Sequence, residues 1–284
     1  MNSRPCQPAS FRPLSFTLVE MLVAVAIFSL LALVICGVLG QFNNAWTKSS
    51  GQNERQQNGR ALLNFLAQNI EQAMMPLNGA TNSLQFVIDS ANLPAAYGNR
   101  DSIFFQAPVA TDGSAGEVAE VGYFVQWQPN NTAQLCRFLV NPTDTANYQI
   151  YTNTSSWLSQ GIVQEIAGGA APGYAGLLGE NVIGLWINAY VRSVTNGVTD
   201  FNVVNQYDSR TNNSTLPVMV DISILALDSV TAKRLSSASV TGIQAVVRNA
   251  TNAAEGLANL SQVSRAVQAG ASSFSTRVPL INAH

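Results

Sequence analysis

One uncharged apolar run near the N-terminus constrains this chain more than any other feature of its sequence. Residues 21–39 form a run of 19 residues without a charge. As an α-helix this run measures about 28 Å, close to the hydrocarbon thickness of a bilayer. Arg4 and Arg12 precede it, and no lysine or arginine follows until Lys48. The positive-inside tendency therefore predicts a single membrane span, with residues 1–15 in the cytoplasm and the C-terminal bulk outside.

The composition of the chain fits an exported domain and argues against nucleic-acid binding. Charged residues make up 11% of the chain and hydrophobic residues 47%, whereas a typical soluble domain is roughly 25% charged. Asn, Gln, Ser and Thr take the place of Lys and Glu on the polar surface. The net charge of −2 provides no basic surface for a phosphate backbone. We therefore predict no nucleic-acid partner.

Catalytic and metal-binding chemistry has little support in the sequence. The single histidine is His284, the last residue, which leaves none for a catalytic triad or a zinc site. Cys136 is the one cysteine of the globular part, and we expect a small buried thiol in a strand. Loop acids such as Asp112 and Asp144 follow no EF-hand spacing. Glycoside hydrolysis needs two acids that converge in a cleft. Two pairs could be proposed, Glu117 with Glu120 and Glu165 with Glu180, but only their residue type supports them. We predict no catalytic residue, no metal site and no cofactor.

Glu20 bears on how this N-terminus is processed. A secretory signal would need small residues for cleavage after the apolar run, and the segment around Cys36 is a poor match. A lipoprotein signal would need small residues before that cysteine, where the chain has Val34 and Ile35. The third possibility is cleavage before the run. A carboxylate in a membrane helix costs about 2.5 to 3.5 kcal/mol at the bilayer centre. Glu20 therefore either lies at the interface and reaches water, or finds a cationic partner.

The residues around Glu20 resemble the start of type IV prepilins and type II secretion pseudopilins. Residues 15–24 read SFTLVEMLVA, and the family pattern is a small residue, then Phe-Thr-Leu-x-Glu, then a long apolar run. The resemblance implies that a membrane-embedded prepilin peptidase cuts between Ser15 and Phe16 and methylates the new Phe16 amine. It also implies that Glu20 pairs with the N-terminal amine of a neighbouring subunit. The family prefers glycine where this chain has Ser15, which is also small.

Later segments are similar to the J-type minor pseudopilins of type II secretion and to the W-type minor pilins. The similar segments are residues 26–42, residues 68–76 (QNIEQAMMP) and residues 216–228 (LPVMVDISILALD). The C-terminal residues 273–280, together with the Asn-rich loops, are similar to the Verru_Chthon cassette protein C family, which also begins like a prepilin.

The pattern downstream changes from helix to strands. Gly51 and Gly59 weaken a continuous helix across residues 41–60, and residues 61–75 carry an amphipathic stripe that Pro76 ends. Strands are predicted at residues 83–88, 102–107, 117–127, 133–140, 182–192, 218–227 and 274–281, with a hairpin turn at 128–132. Loops are predicted at residues 141–161, 168–179 and 193–217, and a helix at 253–269. A long helix followed by an antiparallel sheet is an α+β fold, and the resemblance implies a pilin-like head.

These observations predict four segments and one function. The segments are a leader (residues 1–15), a membrane and polymerisation helix (16–42), an amphipathic helical extension (43–76) and an extracytoplasmic β-rich head (77–284). The resemblance implies a minor pilin or pseudopilin, not an enzyme, anchored in the bacterial inner membrane. It would assemble into, or at the tip of, a type II secretion or type IV pilus-like filament. Its implied partners are other subunits, the prepilin peptidase, the inner-membrane assembly platform and membrane lipid. The alternative is a membrane-tethered binding or degradative domain that uses the N-terminus only as a signal anchor.

Overall fold

One long helix begins the described part of the chain. The computed structural model describes residues 17–75, 85–88, 101–150, 158, 162–163, 173–195, 198–212 and 214–283. The chain divides into two compact units, Met1–Ser50 and Gly51–His284. Helix α1 (Leu18–Glu71, 54 residues) contributes to both. It runs without a break through Gly51 and Gly59, the two glycines that were expected to weaken it, as one long helix.

The first unit contains the apolar half of α1. The segment Leu18–Phe42 is 25 residues long, has a mean hydropathy of 3.0 in its most apolar window, and is 0% buried there. At 1.5 Å per residue it measures about 37 Å, which exceeds the roughly 30 Å hydrocarbon core of a bilayer. Within the described residues this is the one helix long and apolar enough to cross a membrane, as a single span or a signal anchor.

The second unit contains two antiparallel sheets. In chain order the strands are β1 (Val87–Ile88), β2 (Ile103–Ala107), β3 (Ala119–Trp127), β4 (Ala133–Val140), β5 (Ala175–Glu180), β6 (Val182–Thr195), β7 (Val198–Val204), β8 (Tyr207–Asp208), β9 (Met219–Leu227) and β10 (Ala271–Pro279). The larger sheet has the order β5-β4-β3-β2-β1-β8, and the smaller sheet has the order β10-β9-β6-β7. An N-terminal helix followed by antiparallel sheets confirms the expected α+β class.

Short helices connect β9 to β10. They are α2 (Ser229–Ala232), α3 (Ser237–Asn249), α4 (Ala253–Asn259), a 3₁₀ turn (Leu260–Gln262) and α5 (Arg265–Ala269). Each helix begins at a side chain that accepts a hydrogen bond from its first turn, as helix N-caps do: Asp228, Ser236, Asn252 and Ser264. The single helix predicted at residues 253–269 is therefore divided, because Ser264 starts a new helix after the 3₁₀ turn.

The main core joins the C-terminal half of α1 to both sheets. Leu66 and Ile70 of α1, Tyr123 of β3 and Ile222 of β9 are all 0% exposed and belong to one apolar cluster. The amphipathic stripe predicted over residues 61–75 is thus confirmed, because it is the face of α1 that packs inside the unit.

A second, smaller core covers the other face of the larger sheet. It contains Phe104, Phe124, Cys136 and Phe138, packed with Ile150 from the segment after β4. Both faces of β2 and most of β3 are therefore buried, which explains why these strands carry apolar residues in succession and do not alternate.

The predicted hairpin at residues 117–140 is confirmed by β3 and β4, whose turn places Asn131 at φ 66°. Asparagine tolerates this left-handed conformation better than most residues. The loops predicted at residues 168–179 and 193–217 are partly wrong, because β5, β7 and β8 lie there. Residues 1–15 and Pro76 lie outside the described part of the chain.

Candidate functional site at the start of the apolar helix

Thr17 and Glu20 form a reciprocal cap at the start of α1. The Thr17 backbone N–H donates to Glu20 Oε2 at 2.9 Å, and the Glu20 N–H donates to Thr17 Oγ1 at 3.3 Å. The Thr17 hydroxyl also donates to Glu20 Oε2 at 3.0 Å. This is a capping box, in which residues Thr-x-x-Glu satisfy each other's free backbone donors. The cap fixes the first turn of the helix and holds the Glu20 side chain in one place.

The capping bonds leave part of the Glu20 carboxylate open. Both bonds from Thr17 fall on Oε2, and Oε1 has no hydrogen-bond partner within residues 17–75 or elsewhere in the described chain. Hydrogen bonds from neutral donors do not cancel the negative charge of a carboxylate. Glu20 is exposed together with its neighbours Leu18 and Val19. A cation in a lipid or in another chain therefore has access to it.

The apolar surface that follows the cap is exposed along its whole length. Sixteen large apolar side chains between Leu18 and Phe42 are at least half exposed, from 50% at Val23 to 80% at Leu18. Burying a side chain of this kind contributes about 1.5–3 kcal/mol. Burial of the whole set in lipid or against another protein would therefore stabilise the chain by roughly 25–50 kcal/mol. A surface of this size marks a membrane or protein contact. The Ser29 hydroxyl inside it donates to the Val25 carbonyl at 2.8 Å and so needs no outside partner.

The larger sheet holds the C-terminal half of α1 through polar and aromatic contacts. Asn69 Nδ2 donates to the buried Tyr123 hydroxyl at 2.5 Å, and the Phe65 ring meets the Tyr123 ring edge-on with centroids 6.4 Å apart. Arg137 lies over the Phe65 ring at 5.7 Å. Burial raises the pKa of Tyr123, so its hydroxyl stays neutral and accepts the Asn69 bond.

Two glycines allow α1 to approach the sheets closely. A Cβ on Gly59 would lie 2.3 Å from the Phe274 ring, and a Cβ on Gly179 would lie 2.5 Å from the Leu62 side chain. Real Cβ atoms do not come so near to other carbons. Gly59 of α1 and Gly179 of β5 therefore fix where the helix lies in this unit.

A partly enclosed ion pair ties α1 to the start of α2. Arg55 Nη1 donates to Asp228 Oδ2 at 3.2 Å and to the Gly270 carbonyl, with 9% of the Arg55 side chain exposed. Asp228 also accepts the Thr231 N–H at 2.6 Å as the N-cap of α2. Arg55 and Asp228 line a cleft of about 460 Å³ beside α1. Because their charges are paired with each other, their role here is structural.

The C-terminal tail closes the other end of α1. The Ile281 N–H donates to the Glu71 carbonyl at 3.3 Å, and Asn282 Nδ2 donates to the Ala73 carbonyl at 2.8 Å. The last carbonyls of a helix have no partner within the helix. Residues that follow β10 therefore satisfy the end of the helix that begins the chain.

Other chemically active groups lie away from the helix start. Burial raises the pKa of the Cys136 thiol to about 11, and this confirms the expected buried cysteine in a strand. Such a thiol is not a nucleophile near neutral pH. Glu120 is fully buried and accepts the Gln149 N–H at 2.6 Å, whereas Glu117 is exposed, so these two acids lie in different surroundings. Glu165 lies outside the described residues.

The loop acids make local bonds. Hydrogen bonds from Ser114 lower the pKa of Asp112. Burial opposes ionisation of Asp144, but bonds donated by Tyr174 and Asn147 outweigh it and lower the Asp144 pKa. Where side chains are described, no group of three or more His, Cys, Asp or Glu residues is placed to hold a metal ion.

Of the predicted site residues, the structure places Glu20, whereas Ser15 and Phe16 lie outside its described part. Sequence reasoning missed Thr17, although a threonine three residues before a glutamate at the start of an apolar run is the signature of a capping box. No protein-family model matches the chain, and a search of the curated proteins finds no match.

Proposed function

We propose that this chain is a minor pilin or pseudopilin subunit whose N-terminal helix serves as membrane anchor and polymerisation element. A prepilin peptidase cuts between Ser15 and Phe16 and methylates the Phe16 amine. The processed helix then leaves the inner membrane for a type II secretion or type IV pilus-like filament. The head stays on the extracytoplasmic side, and the other partners are neighbouring subunits and the assembly platform.

One observation carries this proposal: the carboxylate of Glu20, one oxygen of which has no partner among the described residues, stands at the start of an exposed apolar helix. A helix that only anchors a domain needs apolar surface and no charge. The Glu20 carboxylate makes anchoring less favourable, by up to about 2.5 to 3.5 kcal/mol at full depth. A cationic amine on a neighbouring helix removes that cost, so the pairing favours the assembled state and fixes its register.

The capping geometry suggests an experiment that separates the two roles of Glu20. Glutamine also accepts the N-cap N–H through its amide oxygen, so Glu20→Gln keeps the cap and removes the charge. Glu20→Ala removes both. Ser29→Ala is the matched control, because it removes a polar group from the same helix that bonds only to Val25. The full-length variants are expressed in a strain with a filament system, and filament fractions are collected by shearing.

We expect both Glu20 variants to be absent or at least about tenfold depleted from the filament fraction, which corresponds to about 1.4 kcal/mol or more. Ser29→Ala should incorporate as the unchanged chain does. Mass spectrometry of the mature protein should give an N-terminus at Phe16 with one added methyl group. If Glu20→Gln incorporates fully, the charge of Glu20 is not needed for assembly and the residue acts only as a helix cap. If the mature chain retains residues 1–15, the N-terminus acts as a simple membrane tether.

A further inference from the structure

The outward face of the smaller sheet carries a polar groove that the assembly role does not use. The groove has a volume of about 550 Å³, within the usual range of roughly 300–1,000 Å³ for small-molecule sites. Its lining residues are Asn188, Asp221–Ser223, Asn252–Ala254 and Ser273–Arg277. We call this surface the sheet-face groove.

The register of three strands forms the floor of the sheet-face groove. Asn188 of β6 lies opposite Asp221 of β9, and Asp221 lies opposite Arg277 of β10. The next row brings Ser223 opposite Ser275. Directly opposed residues of antiparallel strands share one face of the sheet. A row of amide, carboxylate and guanidinium groups therefore lies beside a row of hydroxyl groups.

The helices that cover the rest of this face end at the groove. The Trp186 indole N–H donates to the Ala250 carbonyl at 2.9 Å, and the Ala253 N–H donates to Ser223 Oγ at 3.2 Å. These bonds place the start of α4 over β6 and β9. The exposed methyl group of Ala254 then forms part of the wall. The groove therefore lies at the boundary where the helices stop covering this face of the smaller sheet and the face becomes open.

Several neutral side chains in the groove have unused hydrogen-bonding capacity. The Asn188 amide and the Ser273 and Ser275 hydroxyls have no hydrogen-bond partner among the residues whose positions are described. An amide group supplies two donors and one acceptor, and each hydroxyl supplies a donor and an acceptor. A ligand with closely spaced hydroxyl groups satisfies such a mixture.

The two charged groups of the groove, Asp221 and Arg277, are already paired with each other. Arg277 Nε and Nη2 donate to Asp221 at 2.6 Å and 2.9 Å, and Arg277 Nη2 also donates to the Tyr190 hydroxyl at 2.7 Å. The Arg277 guanidinium stacks on the Tyr190 ring at 4.7 Å. Hydrogen bonds from Arg277 hold the pKa of Asp221 below its ordinary value. Among the described lining residues one acid and one base cancel each other, so this lining has no net charge to attract an ion.

We propose that the sheet-face groove binds a neutral polyhydroxylated ligand, namely a carbohydrate. Vicinal hydroxyls of a sugar ring accept from Asn188 and Arg277 and donate to Asp221 and Ser275, while a C–H face lies against Ala254. A peptide strand would add through backbone groups along the β10 edge of this sheet and would leave the polar side chains of the groove unused. The free groups here are side chains on a sheet face.

The test uses the full-length chain in phosphatidylcholine nanodiscs, free of glycolipids and glycoside detergents that would compete. The probes are neutral oligosaccharides that end in glucose, galactose, mannose or N-acetylglucosamine, with an unstructured peptide and a charged polymer as the competing ligand classes. Binding is measured by saturation-transfer NMR and calorimetry. Ser275→Ile fills the groove at an exposed strand position, where a β-branched residue suits the backbone. Thr199→Ile makes a comparable change on β7 at the opposite edge of the sheet. Asn188→Ala is a second groove variant.

We expect saturable binding of at least one oligosaccharide, weakened about tenfold or more by Ser275→Ile and by Asn188→Ala and unchanged by Thr199→Ile. Because the ligand is neutral, the Kd should change less than about twofold between about 0.05 M and 0.5 M salt. The proposal is overturned if no neutral oligosaccharide binds, if neither groove variant weakens binding, or if only peptides or charged polymers bind. Glu20→Gln leaves this site intact, so its outcome is independent of the assembly proposal.

Discussion

Two glycines of the same helix should respond differently to the same substitution by alanine. Replacing a helical glycine by alanine in a free position stabilises a helix by about 1 kcal/mol, because alanine loses less conformational entropy. Gly51 is such a position, since a Cβ built there meets nothing within 4 Å. At Gly59 the new Cβ would lie 2.3, 2.5 and 2.7 Å from three carbons of the Phe274 ring.

The magnitude of the effect at Gly59 follows from these distances. Carbon atoms in contact are about 3.5–4.0 Å apart, so the ring or the helix must move by more than about 1 Å. Phe274 is 8% exposed and packs in the main core, so its ring cannot simply turn into solvent. Overpacking of this kind costs about 1–3 kcal/mol. The gain in helix propensity is common to both variants, so Gly59→Ala should be less stable than Gly51→Ala by about 1–3 kcal/mol.

Urea unfolding of the full-length chain in detergent, followed by circular dichroism and tryptophan fluorescence, measures this difference. A Phe274→Leu background provides the control, because a smaller side chain should recover much of the penalty at Gly59 and none at Gly51. If the two alanine variants agree within about 0.5 kcal/mol, α1 does not rest on β10 at this point, and the close approach inferred from Gly59 is wrong.

Three further predictions concern polar groups of the head. Asp228→Ala should lower the free energy of unfolding by about 3–5 kcal/mol in urea melts, because it leaves the Arg55 charge enclosed without its partner; a loss below about 1 kcal/mol would contradict this. Cys136 should resist alkylation near pH 8 until denaturant is added, since burial raises its pKa to about 11; rapid labelling of the folded chain would show an open site. Arg277 lowers the pKa of Asp221, so the stability that this carboxylate contributes is present at neutral pH and lost as the pH falls through its folded-state pKa. Asp221→Asn should therefore be less stable than the unchanged chain at pH 7, by less than about 1 kcal/mol for so exposed a pair, and the difference should vanish in acid melts.

The elements that could be predicted from sequence are those whose pattern is local. The apolar run of α1 and the β3–β4 hairpin each carry their own signal, the first through length and the second through two β-rich runs around a short turn. β5 and β7 were missed because their residues favour loops when taken alone. β5 contains Gly176 and Gly179, and β7 lies within an Asn- and Thr-rich segment. Both strands form because a neighbouring strand pairs with them. The sequence of one segment taken alone does not show this pairing.

The long helix was predicted, but its full continuity through Gly51 and Gly59 is less evident from the sequence, for a related reason. Two glycines lower the local helix propensity, and the sequence does not show that Gly59 meets Phe274, more than 200 residues later in the chain. Distant pairing also explains the sheet-face groove, because Asn188, Asp221 and Arg277 come together only through strand register. By contrast, the Thr17–Glu20 cap is local and was readable from its spacing.

The cap changes how Glu20 should be interpreted. A capping box accepts glutamine as well as glutamate at its third helical position, and a neutral amide costs less than a carboxylate near lipid. A chain that needed only a well-formed helix start would therefore be served better by glutamine. This chain has glutamate, with one oxygen bonded to Thr17 and the other without a described partner. The cap satisfies the backbone donors at the start of α1 without cancelling the charge of Glu20. Under the assembly proposal, that remaining charge is what a neighbouring amine would neutralise, and its presence favours this proposal over simple anchoring.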